Sequence, residues 1–395
     1  MNVRYVVCII LSLIILPTHV VAESEWPTRG WPLTTPSEVG LDARVLAALD
    51  ADIGEGKFGY VDSMLIIRHG KVAYERFYGH DYASIYDKES KTPGPLVVND
   101  PSGPYNYFNA WWHPYYHGTK LHTMQSVTKS VVSAVIGIAF DRGDFPDLDT
   151  PVLSFFEPGT VANVDDRKRR MTIRHLLTMS TGLDWDEDVP YADPANSFAI
   201  MAVAPDWVQF AIDRPMAREP GDVFQYNSGA TLILGHVFRL ATGIDLEEYA
   251  VKNLFEPLGI DDYEWKRTPH GLVDTQEGLF VAAGDIAKIA YLFLKGGQWE
   301  EQQVVSEAWV KASLEPRVSV EDDHSVEYGY KWWLYHYQYK GEDRVAFAGA
   351  GFGGQRPIVL PELDLVLVFT GWNILPDRPQ LGTLTAIERV LEAVK

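Results

Sequence analysis

Between Ser126 and Arg142 apolar side chains point in nearly every direction around a helix: Val127, Val131, Val132, Ala134, Val135, Ile136, Ile138, Ala139 and Phe140. A helix with one apolar stripe lies on a surface, whereas one that is apolar all round must be enclosed by the rest of the chain. This run therefore predicts a central helix, with Gly143 as its C′ stop. The remaining chain has to wrap it. At about 100–200 residues per domain, 395 residues allow two domains or one large body with an insertion. A hydrophobic content of 46% excludes general disorder.

The strand signals lie toward the two ends of the chain. After a probable helix opening at Leu41-Asp42-Ala43-Arg44, Met64–Ile67 and Val72–Phe77 read as two strands joined by the turn His69-Gly70. Further strands are expected at 344–347, 355–360 and 365–369, followed by a closing helix over 383–394. Helical patterns dominate between, at 172–177, 232–238 and 285–292, the last with Asp285 as its N-cap. Residues 91–116 are rich in Pro, Asn and aromatics without a sustained period and read as a long loop. The expected class is α/β: one sheet built from both termini (about 40–125 and 326–395), with an inserted, mainly helical region (about 144–325).

Lys and Arg total 34 against 54 Asp and Glu, a net charge of −20. That balance excludes a nucleic-acid partner, which needs a basic face to release counterions; the longest basic run, Arg167-Lys168-Arg169-Arg170, reads as solvated. At the N-terminus, Arg4 precedes an apolar stretch from Val6 to Leu16, Pro17 breaks it, and Val20-Val21-Ala22 offers small residues for cleavage. Residues 1–22 are therefore expected to be a signal peptide. The stretch is shorter than the roughly 17–25 residues that span a bilayer, so no stable membrane anchor is expected after cleavage, and the mature chain is placed in the periplasm or outside the cell. Cys8, the only cysteine, departs with the leader, leaving no disulfide.

The central helix opens on Ser126-Val127-Thr128-Lys129. Residues at i and i+3 share a helix face, so the Lys129 amine can lie beside the Ser126 hydroxyl. A serine hydroxyl needs a neighbouring base to become a nucleophile. An amine among valines loses affinity for its proton through desolvation and can act as that base. A solvent-facing lysine would fit poorly on so apolar a helix.

Around this pair stand further blocks: Thr123-Met124-Gln125-Ser126-Val127-Thr128-Lys129-Ser130, Met171 to Trp185, Pro220 to Gly229 with Leu234-Gly235, Gly278-Leu279-Phe280 with Gly284-Asp285, Tyr328 to Trp333, and Gly349 to Gln355. With these blocks in order, the chain resembles the serine β-lactamase and penicillin-binding-protein superfamily, in particular its class C-like esterase and 6-aminohexanoate-dimer hydrolase branch. The resemblance implies a β-lactamase/transpeptidase-like fold and a serine hydrolase that opens small esters or amides through an acyl-enzyme, with no cofactor and no metal. It places Tyr226 opposite the Ser126/Lys129 pair as a proton relay, and it assigns the oxyanion hole to the N–H groups of Ser126 and Phe352. Substrate contacts are implied for Ser228, Gly349, Ala350 and Gly351. Two departures bear on the substrate. Ser228 stands where β-lactamases carry Asn, and Gly349-Ala350-Gly351 lacks the cation that holds a carboxylate there, so carboxylate-bearing substrates depend on Arg356 or another cation. A β-lactamase or D-Ala carboxypeptidase is thereby disfavoured. A silent binding or sensor protein of the same fold is the alternative of a different class, opposed by the intact Ser126, Lys129 and Tyr226.

Other features have plainer readings. Asp184-Trp185-Asp186-Glu187-Asp188 alternates carboxylates like a calcium loop, but Val189 and Ala195 occupy the positions that need Gly and Glu, so it reads as a solvated acidic loop near the site entrance. His113 and His117 bracket Pro114, which opposes a ligand-bearing helix. The aromatics Tyr105, Tyr107, Phe108, Trp111, Trp112, Tyr115 and Tyr116 either line a pocket or pin their loop. The chain has no Walker, CxxC or Gly-x-Ser-x-Gly pattern.

Overall fold

A computed structural model, describing residues 26–92, 94, 96, 106–108, 119–191, 193–320, 325–375 and 377–395, joins the two chain ends in one sheet. The expected signal peptide at residues 1–22 lies outside the described residues, as do His113, His117, Tyr105, Trp111, Trp112, Tyr115 and Tyr116. The strands of the large sheet are β1 (Val61–Arg68), β2 (Lys71–Phe77), β3 (Val318–Ser319), β4 (Val326–Tyr328), β5 (Trp333–Tyr339), β6 (Glu342–Ala348), β7 (Arg356–Leu360) and β8 (Leu365–Gly371). Their spatial order is β2-β1-β8-β7-β6-β5-β4-β3, antiparallel throughout. The N-terminal hairpin thus closes on the last strand, Leu65 lying opposite Val368.

The hairpin turn falls at His69-Gly70, with φ of 54° and 71°. Two successive left-handed residues make the tight turn whose twist matches the flanking strands. β1 and β8 are buried on both faces, which is why they read as unbroken apolar runs. On one face Met64, Ile66, Leu365, Leu367 and Phe369 pack with Leu46, Leu49 and Ile53 of α1 (Ala43–Gly54) and with Ile387 and Val390 of a C-terminal helix, Thr383–Leu391. On the other, Leu65, Ile67, Val366 and Val368 belong to the larger core, which encloses α2 (Thr128–Asp141). Each such side chain, fully buried, contributes roughly 1.5–3 kcal/mol.

Three details differ from the sequence expectation. Strands β3 to β5 lie beyond the expected set, because Trp-Leu-Tyr-His-Tyr-Gln-Tyr in β5 alternates aromatics with a mixed face rather than with aliphatic residues. The helix expected to be capped by Asp285 is α4, Ala283–Leu294, where α3 is Ser228–Thr242. It starts two residues before Asp285, with Ala282 at the N-cap, and Asp285 instead pairs with Lys288 at 2.9 Å in the first turn. Finally, α2 begins at Thr128, and Gln125–Val127 form a separate 3₁₀ turn ahead of it. Gly143 ends this helix as expected, at φ 76°.

Candidate active site

The segment entering α2 is pinned on both sides of the nucleophile candidate. His122–Thr123 pairs with Leu279–Val281, and Met124 N–H donates to Leu279 O at 2.8 Å. Gln125 then adopts φ 49°, an unfavourable left-handed conformation for this residue type, of the kind that clusters at functional sites. Its buried side chain donates to Thr123 Oγ1 at 3.0 Å, which holds the bend. Ser126 follows in the 3₁₀ turn, where residues three apart nearly eclipse.

Lys129 Nζ donates to Ser126 Oγ at 2.9 Å and to Gln276 O at 2.9 Å, and the lysine is 1% exposed. The loop supplying that carbonyl carries two buried carboxyl groups. Burial raises Asp274 to about 6 and Glu277 to about 7, although the cations Lys266 and Lys129 act in the opposite direction on both. Sequence reasoning passed over these acids. Their signal was the run Asp274-Thr275-Gln276-Glu277 directly ahead of the block Gly278-Leu279-Phe280.

Tyr226 precedes α3, whose N-cap Asn227 accepts from Ala230 N–H at 2.8 Å. The phenol ring stacks on Trp333 with centroids 5.8 Å apart, and Lys129 Nζ lies 5.1 Å from its centroid. Ser126, Lys129 and Tyr226 therefore converge. Ser126 and Tyr226 open onto a cleft of about 630 Å³ that Trp333, Ala350, Gly351 and Phe352 also line. A larger cavity of about 770 Å³ lies between Thr28–Leu33 and the β1–β2 hairpin and contains none of the three.

The other expected site residues divide. Ala350, Gly351 and Phe352 line the cleft. Phe352 is held edge-on by Tyr107, Tyr191 and Trp372. Neither its N–H nor that of Ser126 meets a protein acceptor among the described residues. Gly349 packs behind the cleft wall, where an added Cβ would stand 3.1 Å from Val127 and Pro357. Ser228 is not among the residues lining the cleft. It is buried, with its hydroxyl donating to Glu187 Oε1 at 2.6 Å and its N–H to Oε2 at 2.8 Å. Glu187 also accepts from Trp185 Nε1 at 2.7 Å. The acidic loop is thus less solvated than its composition suggests: Glu187 anchors the start of α3, while exposed Asp188 lines the cleft. Tyr107 pins its loop, donating to Glu277 and stacking on Trp372 at 6.2 Å. No cluster of His, Cys, Asp or Glu among the described residues is arranged to hold a metal.

A second lysine, Lys331, is buried beside this centre at φ 63°, its ammonium donating to Met179 Sδ at 3.3 Å and its carbonyl accepting from Ser130 Oγ at 2.7 Å. Burial pushes it well below the ordinary lysine range.

Comparisons with known proteins bear on the family and the fold. The Beta-lactamase family model matches residues 61–371. The chain is 26% identical over 331 residues to a 6-aminohexanoate-dimer hydrolase of Paenarthrobacter ureafaciens, covering 78% of this chain and 80% of the relative. Among solved structures, EstCE1, a hydrolase with promiscuous acyltransferase activity, superposes with a TM-score of 0.63 at 16% identity over 91% of this chain and 99% of that one. A family VIII carboxylesterase superposes with a TM-score of 0.59 at 16% identity, covering 92% and 98%. With the family match spanning most of its length and the sheet joining its two ends, this chain belongs to the β-lactamase family.

Proposed function

We propose that this hydrolase of the β-lactamase family cleaves small esters or amides through an acyl-enzyme on Ser126. Ser126 Oγ attacks the substrate carbonyl as its proton passes to the Lys129 amine. The tetrahedral oxyanion is taken by the N–H groups of Ser126 and Phe352. The Tyr226 phenol relays the proton to the departing alcohol or amine, and the acyl group stays on Ser126. Water then adds to the acyl carbonyl, giving its proton to the same base, and the acid leaves with Ser126 restored. The observation that carries this reading is the 2.9 Å contact of buried Lys129 with Ser126. Similar proteins named as a 6-aminohexanoate-dimer hydrolase, a hydrolase with promiscuous acyltransferase activity and a carboxylesterase support the substrate class. A β-lactam or D-Ala peptide is less well matched, because the Gly349-Ala350-Gly351 element carries no cation and Ser228 stands where those enzymes carry Asn.

Purified protein should take up a fluorophosphonate probe and turn over p-nitrophenyl acyl esters, and Ser126→Ala should do neither. Folded wild-type protein that is neither labelled nor active would refute the proposal, and nitrocefin turnover matching that of the esters would replace it with a β-lactamase. The leader at residues 1–22 supports a further proposal, export of the chain. N-terminal sequencing of protein recovered outside the cytoplasm should begin at Glu23.

A further inference from the structure

The seat of Lys129 and the turn that carries Phe352 lead back to one buried residue, Glu277. Its backbone belongs to the turn that seats the amine: Asp274 Oδ1 accepts from Gln276 N–H at 3.1 Å, and Gln276 O accepts from Lys129 Nζ at 2.9 Å. Its carboxyl accepts the O–H of Tyr107. The Tyr107 ring stacks on Trp372 with planes 12° apart, and Tyr107 O accepts from Trp372 Nε1 at 2.8 Å. Phe352 stands edge-on to both rings, at 82° and 6.3 Å from Tyr107 and at 81° and 6.2 Å from Trp372. The chain at Trp372 also meets the next residue of the turn. A Cβ added to Gly353 would stand 2.9 Å from Trp372 Cε3, and Asn373 N–H donates to Gly353 O at 3.0 Å.

A carboxyl and a phenol are costly at this depth. Both residues are buried; burial raises Glu277 to about 7 and pushes the Tyr107 phenol well above its ordinary range. A leucine facing a phenylalanine would fill the same space without that desolvation. What the polar pair adds is direction, because a hydrogen bond fixes the place of a ring more narrowly than apolar contact does. An oxyanion donor requires such control, since it must be held within about 0.5 Å of its productive position. We propose that Glu277 and Tyr107 are positioning residues, which hold the Phe352 N–H at a set place relative to Ser126 and Lys129. The inference deepens the hydrolase reading above and rests on its assignment of the oxyanion hole.

Tyr107→Phe cuts the tie and keeps the ring. Its kcat on p-nitrophenyl butyrate should fall by about 10- to 100-fold with KM little changed, the scale of loss for a misplacement of about 1 Å. Affinity for phenylboronic acid, whose tetrahedral adduct on Ser126 Oγ puts an oxygen in the oxyanion hole, should fall by a similar factor. Glu277→Leu should reproduce both losses, and Glu277→Gln, which keeps an acceptor, should restore most of kcat. The Tyr107→Phe/Glu277→Leu double variant should be no worse than the poorer single one, because either change alone breaks the tie. Wild-type kcat in Tyr107→Phe overturns the proposal, even if the melting temperature falls, since the pair would then be an anchor for its loop. A fall in kcat with unchanged boronate affinity overturns it too, as does a Glu277→Gln variant no better than Glu277→Leu. Folded wild-type protein that turns over no ester would refute the hydrolase reading itself, and this inference with it.

Discussion

Gly351 faces the carbonyl of Met124 so closely that a methyl group added to its Cα would stand 2.5 Å from that oxygen and 2.8 Å from Gln355 Cβ. The end of β6 and the entry to α2 therefore meet backbone to backbone. The chain carrying Phe352 and the chain carrying Ser126 are set against each other by that contact. Neither wall is a flexible side-chain tip that could swing away.

Gly351→Ala should consequently displace the turn before Phe352. Overpacking of this kind costs about 1–3 kcal/mol, so the melting temperature should fall together with ester turnover. A variant that melts and turns over like wild type would show that the approach does not constrain the site.

Lys129→Met keeps the volume of the side chain and removes the amine. Acylation, followed as the rate of fluorophosphonate labelling or as the p-nitrophenol burst, should fall by about 10²–10⁴. Unfolding should remain cooperative, because methionine keeps the volume of this buried side chain. A loss below about tenfold would take Lys129 out of the mechanism.

Tyr226→Phe separates the phenol from its ring. The stack on Trp333 and the ring face toward Lys129 both survive. Stability should barely change, while kcat should drop by about a hundredfold or more, the lower range for a lost general acid or base. An equal fall in melting temperature and activity would mark the tyrosine as packing alone.

Glu277 offers a pH test of the loop that seats Lys129. Burial raises its folded-state pKa from 4.5 to about 7. A raised pKa means that the folded state holds the proton more tightly, so the associated stability is complete below pH 4.5 and is lost as pH rises through 7. Wild-type protein should thus lose stability between those limits, and Glu277→Gln, which keeps an acceptor for Tyr107, should show a shallower loss. Parallel pH profiles of melting temperature for the two proteins would contradict this.

What could be read along the chain was whatever rests on neighbours. The His69-Gly70 turn needs two left-handed residues in a row, the central helix is apolar all round, and β8 is apolar on both faces; each is a local pattern with one physical meaning. The i, i+3 relation of Ser126 and Lys129 belongs to the same class, since a single helical turn brings the amine to the hydroxyl. The resemblance named Tyr226, but no spacing in the chain could bring a residue ahead of α3 to face α2. Asp285 was misread as a cap because a preference for helix starts is weak beside the packing that begins α4 at Ala283. Ser228 was assigned to the substrate because its use by Glu187 is a contact between distant segments.

The sequence by itself determined the central helix, the i, i+3 placement of Lys129 beside Ser126 and the strands near each chain end, because periodicity and turn chemistry act over a few residues. The tertiary structure alone decided that Tyr226 stacks on Trp333 beside Lys129, that Gln276 O seats that amine, and that Arg356 lines the cleft. Those relations join residues far apart in the chain, and only the packing of sheet against helices sets their distances.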